Sequence, residues 1–117
     1  MAEAIQTELS ESGIFLISLN RPEVLNSMNK DLIMGLLETI KKINDDPKVR
    51  VVVITGKGRG FCAGADLTNG GWTNEKNSSP GQAAARNMEI GFNPLIRAIT
   101  NSNKPVITAI NGVAAGG

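Results

Sequence analysis

Arg50-Val51-Val52-Val53-Ile54-Thr55-Gly56-Lys57-Gly58-Arg59-Gly60-Phe61-Cys62-Ala63-Gly64-Ala65-Asp66-Leu67 is the stretch that decides the fold class. Arg50–Thr55 is a short, β-branched, apolar run. It reads as a buried strand, parallel to its neighbours. Gly56–Gly60 reads as a turn, and Phe61–Leu67 as a compact segment of mostly small residues. A parallel strand needs a crossover connection, usually a helix. The flanking sequence carries a helical pattern on each side.

Upstream, Ala4–Leu9 and Gly13–Leu19 read as two strands of a hairpin, joined by a Ser-Glu-Ser-Gly turn. Ile14-Phe15-Leu16-Ile17 is continuously apolar, which predicts a strand covered on both faces. Pro22 cannot donate to a ladder and ends the second strand. A helix is expected to begin between Ser27 and Asn29, either of which could cap it. Leu32, Leu36, Ile40 and Ile43, with Ile33 and Leu37 beside them, form one apolar stripe. Lys41 and Lys42 suit its C-terminal end, and Asp45-Asp46-Pro47 stops it.

Downstream, Thr68–Gly81 is polar and glycine-containing, the candidate for a mobile loop. Gln82–Asn101 carries Ala84, Met88, Phe92, Leu95, Ile96 and Ile99 at helical spacing, with Gly91 and Pro94 expected to kink or split it. Pro105–Ile110 reads as another strand, followed by an Asn111-Gly112 turn. The order is ββ, helix, β, loop, helix, β. That is an α/β pattern with helices crossing over between sheet strands. The last strand has no following helix to cover it, and Gly112–Gly117 is an apolar run of small residues. Both features predict a truncated chain.

Composition narrows the chemistry. The 117 residues are 41% hydrophobic and 20% charged, as in an ordinary globular domain. Only 3% are aromatic, so the core must rest on aliphatic side chains. A net charge of +1 gives no global field for nucleic acid or an anionic membrane. No apolar run approaches the length of a membrane span, and the N-terminus lacks a signal-peptide pattern. One cysteine, Cys62, cannot form an internal disulfide, so a reducing cytoplasm is the default reading. Histidine is absent, which excludes a Ser-His-Asp or Cys-His nucleophile and a histidine-based zinc site within these residues. Stabilisation of a negative oxygen by backbone N–H groups needs no particular side chain and stays open.

Two segments could supply such groups. Gly60–Leu67 has almost no side-chain bulk, so a ligand could approach its main chain closely. Lys104–Gly117 again runs from an apolar strand into small residues, with Gly116 and Gly117 near the start of any helix that follows. Each has a plainer reading, a tight corner where only small residues pack. As a pair they could offer donors to one point, the geometry of an oxyanion hole.

Asn20-Arg21-Pro22-Glu23-Val24-Leu25-Asn26, then Val52–Gly56, then Phe61–Leu67, then Lys104-Pro105-Val106 with Asn111–Gly117, resemble the enoyl-CoA hydratase/isomerase family in order and spacing. The resemblance implies a crotonase-like spiral of ββα units that binds acyl-CoA thioesters. Residues 1–117 would be the N-terminal part of one such domain, its C-terminal half absent. It further implies that the thioester oxygen accepts hydrogen bonds from the N–H groups of Ala65 and Gly117, which stabilise an enolate. Glu23, Val24 and Leu25, with Ala63, Asp66 and Leu67, would line the coenzyme A track; Asp66 could equally serve only to fix its turn. No metal and no cofactor is implied beyond the coenzyme A of the substrate. The family's acid/base carboxylates fall beyond Gly117, so the chain alone is expected to be inert, and the complete protein to form a homo-trimer or a pair of trimers.

Other features stay unpromoted. Gly56–Gly60 lacks the Gly-x-x-x-x-Gly-Lys-Ser/Thr pattern and reads as a glycine turn with two solvated cations, although Lys57 or Arg59 could meet a coenzyme A phosphate. Cys62 reads as a packed small residue. Trp72 could cover an acyl group or pin its loop. Three functions fit: a hydratase or isomerase, a non-catalytic acyl-CoA-binding or assembly module, and a hydrolase or dehalogenase with a carboxylate nucleophile. Asn93–Arg97 with Gly58–Gly64 resembles phenylacetate-pathway isomerases, and the Val113-Ala114-Ala115 turn is less bulky than that of a typical hydratase, so isomerase leads and general enoyl-CoA hydratase follows.

Overall fold

A computed structural model describes residues 3–68 and 79–117. Trp72 and most of the expected 68–81 loop lie outside the described residues.

Strands β1 (Ile5–Leu9) and β2 (Ile14–Leu19) form the antiparallel hairpin. A 3₁₀ turn at Pro22–Val24 leads to helix α1 (Lys30–Ile43). Strands β3 (Val51–Gly56) and β4 (Gly60–Cys62) follow. Next come α2 (Pro80–Asn87), a π-helical turn at Met88–Phe92 and α3 (Asn93–Thr100). Strands β5 (Val106–Thr108) and β6 (Val113–Ala114) complete the described chain.

The main sheet has the order β1-β2-β3-β5, and β3 is parallel to both β2 and β5. A second, small sheet pairs β4 with β6, also in parallel. An isolated parallel bridge between Met28 and Ala65 adds the segment after β2 to this second layer. The chain therefore steps three times from the main sheet to the small one: β2 to Met28, β3 to β4, and β5 to β6. The first step is followed by α1 and the second by α2 and α3. Each step lies beside the last, which is the stacking of a ββα spiral.

Local chemistry explains the elements. Asn29, not Ser27, caps α1: its side-chain oxygen accepts from the Leu32 N–H at 2.9 Å. The whole expected stripe of α1 is buried: Leu32, Ile33, Leu36, Leu37, Ile40 and Ile43. It shares one core with Ile17 and Leu19 of β2 and Val52 and Ile54 of β3. Each such side chain contributes on the order of 2 kcal/mol by leaving water.

Several expectations need correction. Gly60–Cys62 and Val113–Ala114 are strands rather than plain turns, because each finds the other across the fold. The second helical region starts earlier, at Pro80, since Ser79 and Gln82 form a reciprocal capping box ahead of it. The interruption expected at Gly91 and Pro94 is present, as a π-helical turn at Met88–Phe92 that separates α2 from α3. Pro94 has no N–H to return to the preceding turn, and the helix absorbs this with the π turn just before it. Of its expected stripe only Leu95 is fully buried; Ala84, Met88 and Ile96 are exposed. Strand β5 spans only Val106–Thr108 of the expected Pro105–Ile110. Ile14 is also exposed, so β2 is covered at its C-terminal end and not along its length.

Candidate active site

The Gly60–Leu67 and Val113–Gly117 segments meet. Ala115 N–H donates to the Cys62 carbonyl at 2.9 Å. Gly64 is buried with φ +103°, a left-handed conformation that L side chains rarely adopt. A Cβ at Gly64 would lie 3.0 Å from the Ala115 carbonyl oxygen and 3.6 Å from the Gly117 nitrogen. Glycine there is what lets the two turns touch.

Ala65 is oriented by its neighbours. Met28 N–H donates to the Gly64 carbonyl at 2.7 Å, and Asp66 N–H donates to the Met28 carbonyl at 3.0 Å. Those bonds use the groups flanking Ala65. In an extended chain successive N–H groups alternate sides, so the N–H of Ala65 faces away from Met28. Among the described residues, neither the Ala65 nor the Gly117 N–H has a partner within the chain. Both residues are exposed. Phe61, Cys62 and Ala114–Gly117 line a small open cleft of about 210 Å³, to which Gly117 contributes and Ala65 does not. Free N–H groups of this kind, on two turns that touch, are suited to receive a carbonyl oxygen that gains negative charge.

The expected coenzyme A residues fall into two groups. Ala63 N–H donates to the Leu25 carbonyl at 3.0 Å, so those two lie side by side near the donors. Glu23 and Val24 sit exposed on the 3₁₀ turn, with Leu25 just after it. Glu23 instead lines a wider groove of about 790 Å³ together with Glu3, Asp31 and Glu38, apart from the cleft at Gly117. Leu67 is 87% exposed, an apolar side chain with nothing of the described chain over it.

Both carboxylate oxygens of Asp66 are occupied by the protein's own donors. One accepts from the Thr68 N–H at 2.8 Å and the Thr68 hydroxyl at 2.6 Å. The other pairs with the Arg21 guanidinium at 3.1 Å. This favours the turn-fixing reading of Asp66. The Thr68 hydroxyl, then the Thr68 amide, hold its carboxyl below the usual carboxylate range; partial burial opposes them, and Arg21 adds a smaller lowering. A depressed folded pKa gives stability that is present above the unfolded pKa, about 3.9, and is lost as pH falls through the lower folded value. Thr68→Val removes the largest cause. The Asp66 carboxyl pKa, followed by NMR titration, is expected to rise toward the ordinary value in that variant; an unchanged pKa would show that Thr68 is not its main partner.

Three polar residues hold the site together without having been singled out for a role in the sequence. Arg21 donates to the Ser27 carbonyl and hydroxyl as well as to Asp66. Asn26 is fully buried; its oxygen accepts from the Arg21 N–H at 2.7 Å, and its nitrogen donates to the carbonyls of Lys57 at 3.1 Å and Gly60 at 3.0 Å. Asn111 accepts from the Gly56 N–H at 3.1 Å and donates to the carbonyls of Gly58 at 3.0 Å and Gly60 at 3.3 Å. The two asparagines thus grip the Gly56–Gly60 turn from either side and share the Gly60 carbonyl. They tie together the three turns that lead from the main sheet into the small one. Both lie in motif segments quoted above, which was the available signal. Lys57 and Arg59 are exposed on this gripped turn, and Cys62 is buried in the core, in keeping with their plainer readings.

Residues 9–117 match the enoyl-CoA hydratase/isomerase family, and the chain belongs to it. It is 42% identical to the 1,2-epoxyphenylacetyl-CoA isomerase of Escherichia coli (strain K12), over 91% of this chain and 39% of that protein. It is 46% identical to the probable enoyl-CoA hydratase echA12 of Mycobacterium leprae, over 100% of this chain and 40% of that protein. A crystal structure of an enoyl-CoA hydratase/isomerase from Mycobacterium paratuberculosis superposes with a TM-score of 0.74 at 32% identity, covering 96% of this chain and 43% of that one. The fold is crotonase-like α/β. The chain spans about two fifths of the length of the relatives it matches, at 39% and 40%.

Proposed function

We propose that residues 1–117 supply the oxyanion-binding half of an active site that processes acyl-CoA thioesters. The Ala65 and Gly117 N–H groups hold the thioester oxygen and stabilise the enolate formed when a proton moves at the neighbouring carbon. The observation that carries this is the pair of unpartnered N–H groups on two touching turns. Leu25, Ala63 and Leu67, with Val24 on the adjoining turn, line the coenzyme A track, largely through main-chain atoms, while Asp66 fixes its turn and Glu23 faces the separate groove. The proton-shuttling carboxylates come from beyond Gly117, within the same domain. No cofactor beyond the coenzyme A of the substrate enters the reading, and among the described residues no helix is long and apolar enough to cross a membrane. The complete enzyme is a homo-trimer or a pair of trimers in this reading.

Isomerase is the leading activity, of the type that rearranges ring-derived acyl-CoA thioesters. An isomerase must stabilise the enolate and move a proton, but need not activate water. The likeness to the Escherichia coli isomerase supports it. The likeness to a probable enoyl-CoA hydratase, at 46% identity, supports the second reading, a general enoyl-CoA hydratase. The complete protein should be assayed with crotonyl-CoA and with a 3-enoyl-CoA. A double-bond shift in the second that outpaces hydration of the first is expected. Fast hydration with no shift would leave the hydratase reading.

A further inference from the structure

We infer that Met28 is the positioning residue for both oxyanion donors, an inference that rests on the enolate reading above. Its main chain acts on one donor. The bonds from Met28 N–H to the Gly64 carbonyl, 2.7 Å, and from Asp66 N–H to the Met28 carbonyl, 3.0 Å, bracket Ala65 and set the direction of its N–H. Its side chain acts on the other. A Cβ built on Gly117 would lie 2.6 Å from the Met28 sulfur and 4.0 Å from its terminal methyl. The thioether therefore packs directly on Gly117.

The second contact matters because of what Gly116-Gly117 lacks. Two consecutive glycines, the first at φ +71°, carry no side chains with which to fix their own conformation. The direction of the Gly117 N–H therefore depends on what packs against it. Met28 is itself anchored in the core at 8% exposure. Its flexible, apolar thioether fills the irregular space left by a backbone turn and asks for no hydrogen bond. One residue thereby touches both of the turns that carry the donors. A side chain at the position after Gly116 would have to displace the Met28 sulfur, and with it the packing on Gly117.

The test uses the complete enzyme and its better CoA thioester, crotonyl-CoA or a 3-enoyl-CoA. Met28→Ala keeps the main-chain bonds and removes the buttress. Its kcat is expected to fall about tenfold or more with KM within about twofold, since misplacing a donor harms the transition state rather than ground-state binding. Met28→Leu, which restores bulk, is expected to recover kcat to within about threefold. Gly117→Ala should be damaged alone, and partly rescued when combined with Met28→Ala, because the new methyl then has space. Should Met28→Ala not fold, Met28→Val is too short to reach Gly117 and takes its place. A folded Met28→Ala enzyme with parental kcat, equal loss in the Ala and Leu variants, or no rescue of Gly117→Ala would overturn the inference. Ala65→Pro keeps the two readings apart. Normal turnover there removes the enolate reading itself, whereas loss there with parental kcat in Met28→Ala removes only the role of Met28.

Discussion

Ala65→Pro in the complete enzyme is expected to lower kcat by about 10²–10³-fold, the usual consequence of deleting one oxyanion donor, or roughly 3–4 kcal/mol. Proline removes the N–H and leaves the rest of the site its means of assembly. The ladder around Ala65 uses the Gly64 carbonyl, the Asp66 N–H and both main-chain groups of Met28, none of which the substitution deletes. Gly64 precedes the new proline and tolerates the restriction that proline imposes on its predecessor. Ala65→Gly is the matched control: it keeps the N–H, loses only a methyl, and should turn over within a few-fold of the parent. The loss should fall on kcat rather than KM, because the donor strengthens as negative charge develops. Circular dichroism establishes that the variant is folded. A folded Ala65→Pro enzyme with normal turnover would rule out the role assigned to this N–H.

How much of this was legible in the sequence divides along the range of the forces. Helix α1 was legible because its signals are local: a capping asparagine, an uninterrupted apolar stripe and a charged stop within one segment. The parallel β3 was legible because a β-branched apolar run of that length has few alternatives. Strands β4 and β6 were not. They have three and two residues, too few for any periodicity, and their pairing joins positions about fifty apart in the chain. The site stood between these cases. Small residues announced that something approaches the main chain at Gly64 and Gly117, and the family resemblance named the donors. The packing that holds them was silent. Nothing in a Leu25-Asn26 pair signals two successive left-handed residues, at φ 53° and 57°. Nothing in an isolated methionine marks it as the contact between two turns.

Asn26→Ala is expected to destabilise the complete protein by about 3–5 kcal/mol, a large share of the 5–15 kcal/mol typical of a domain. Asn26 is 0% exposed, so its amide works out of reach of water in the folded chain. Truncation deprives the Arg21 N–H and the Lys57 carbonyl of the asparagine partner, each at roughly 1–3 kcal/mol. The Gly60 carbonyl suffers less, since Asn111 still donates to it at 3.3 Å. Alanine also tolerates the left-handed φ of 57° less well than asparagine, which adds on the order of 1 kcal/mol. Asn26→Asp offers no rescue: it keeps an acceptor for Arg21 but turns a carboxylate oxygen toward two carbonyls. Asn111→Ala should cost less, because Asn111 is exposed and water can reach the groups it leaves. The double variant should exceed the sum of the two, because only then does the Gly60 carbonyl lose both partners. Urea midpoints of the four variants decide the matter. A cost below about 1 kcal/mol for Asn26→Ala, or strict additivity in the pair, would mean that the shared carbonyl is not the point at which the three turns are tied.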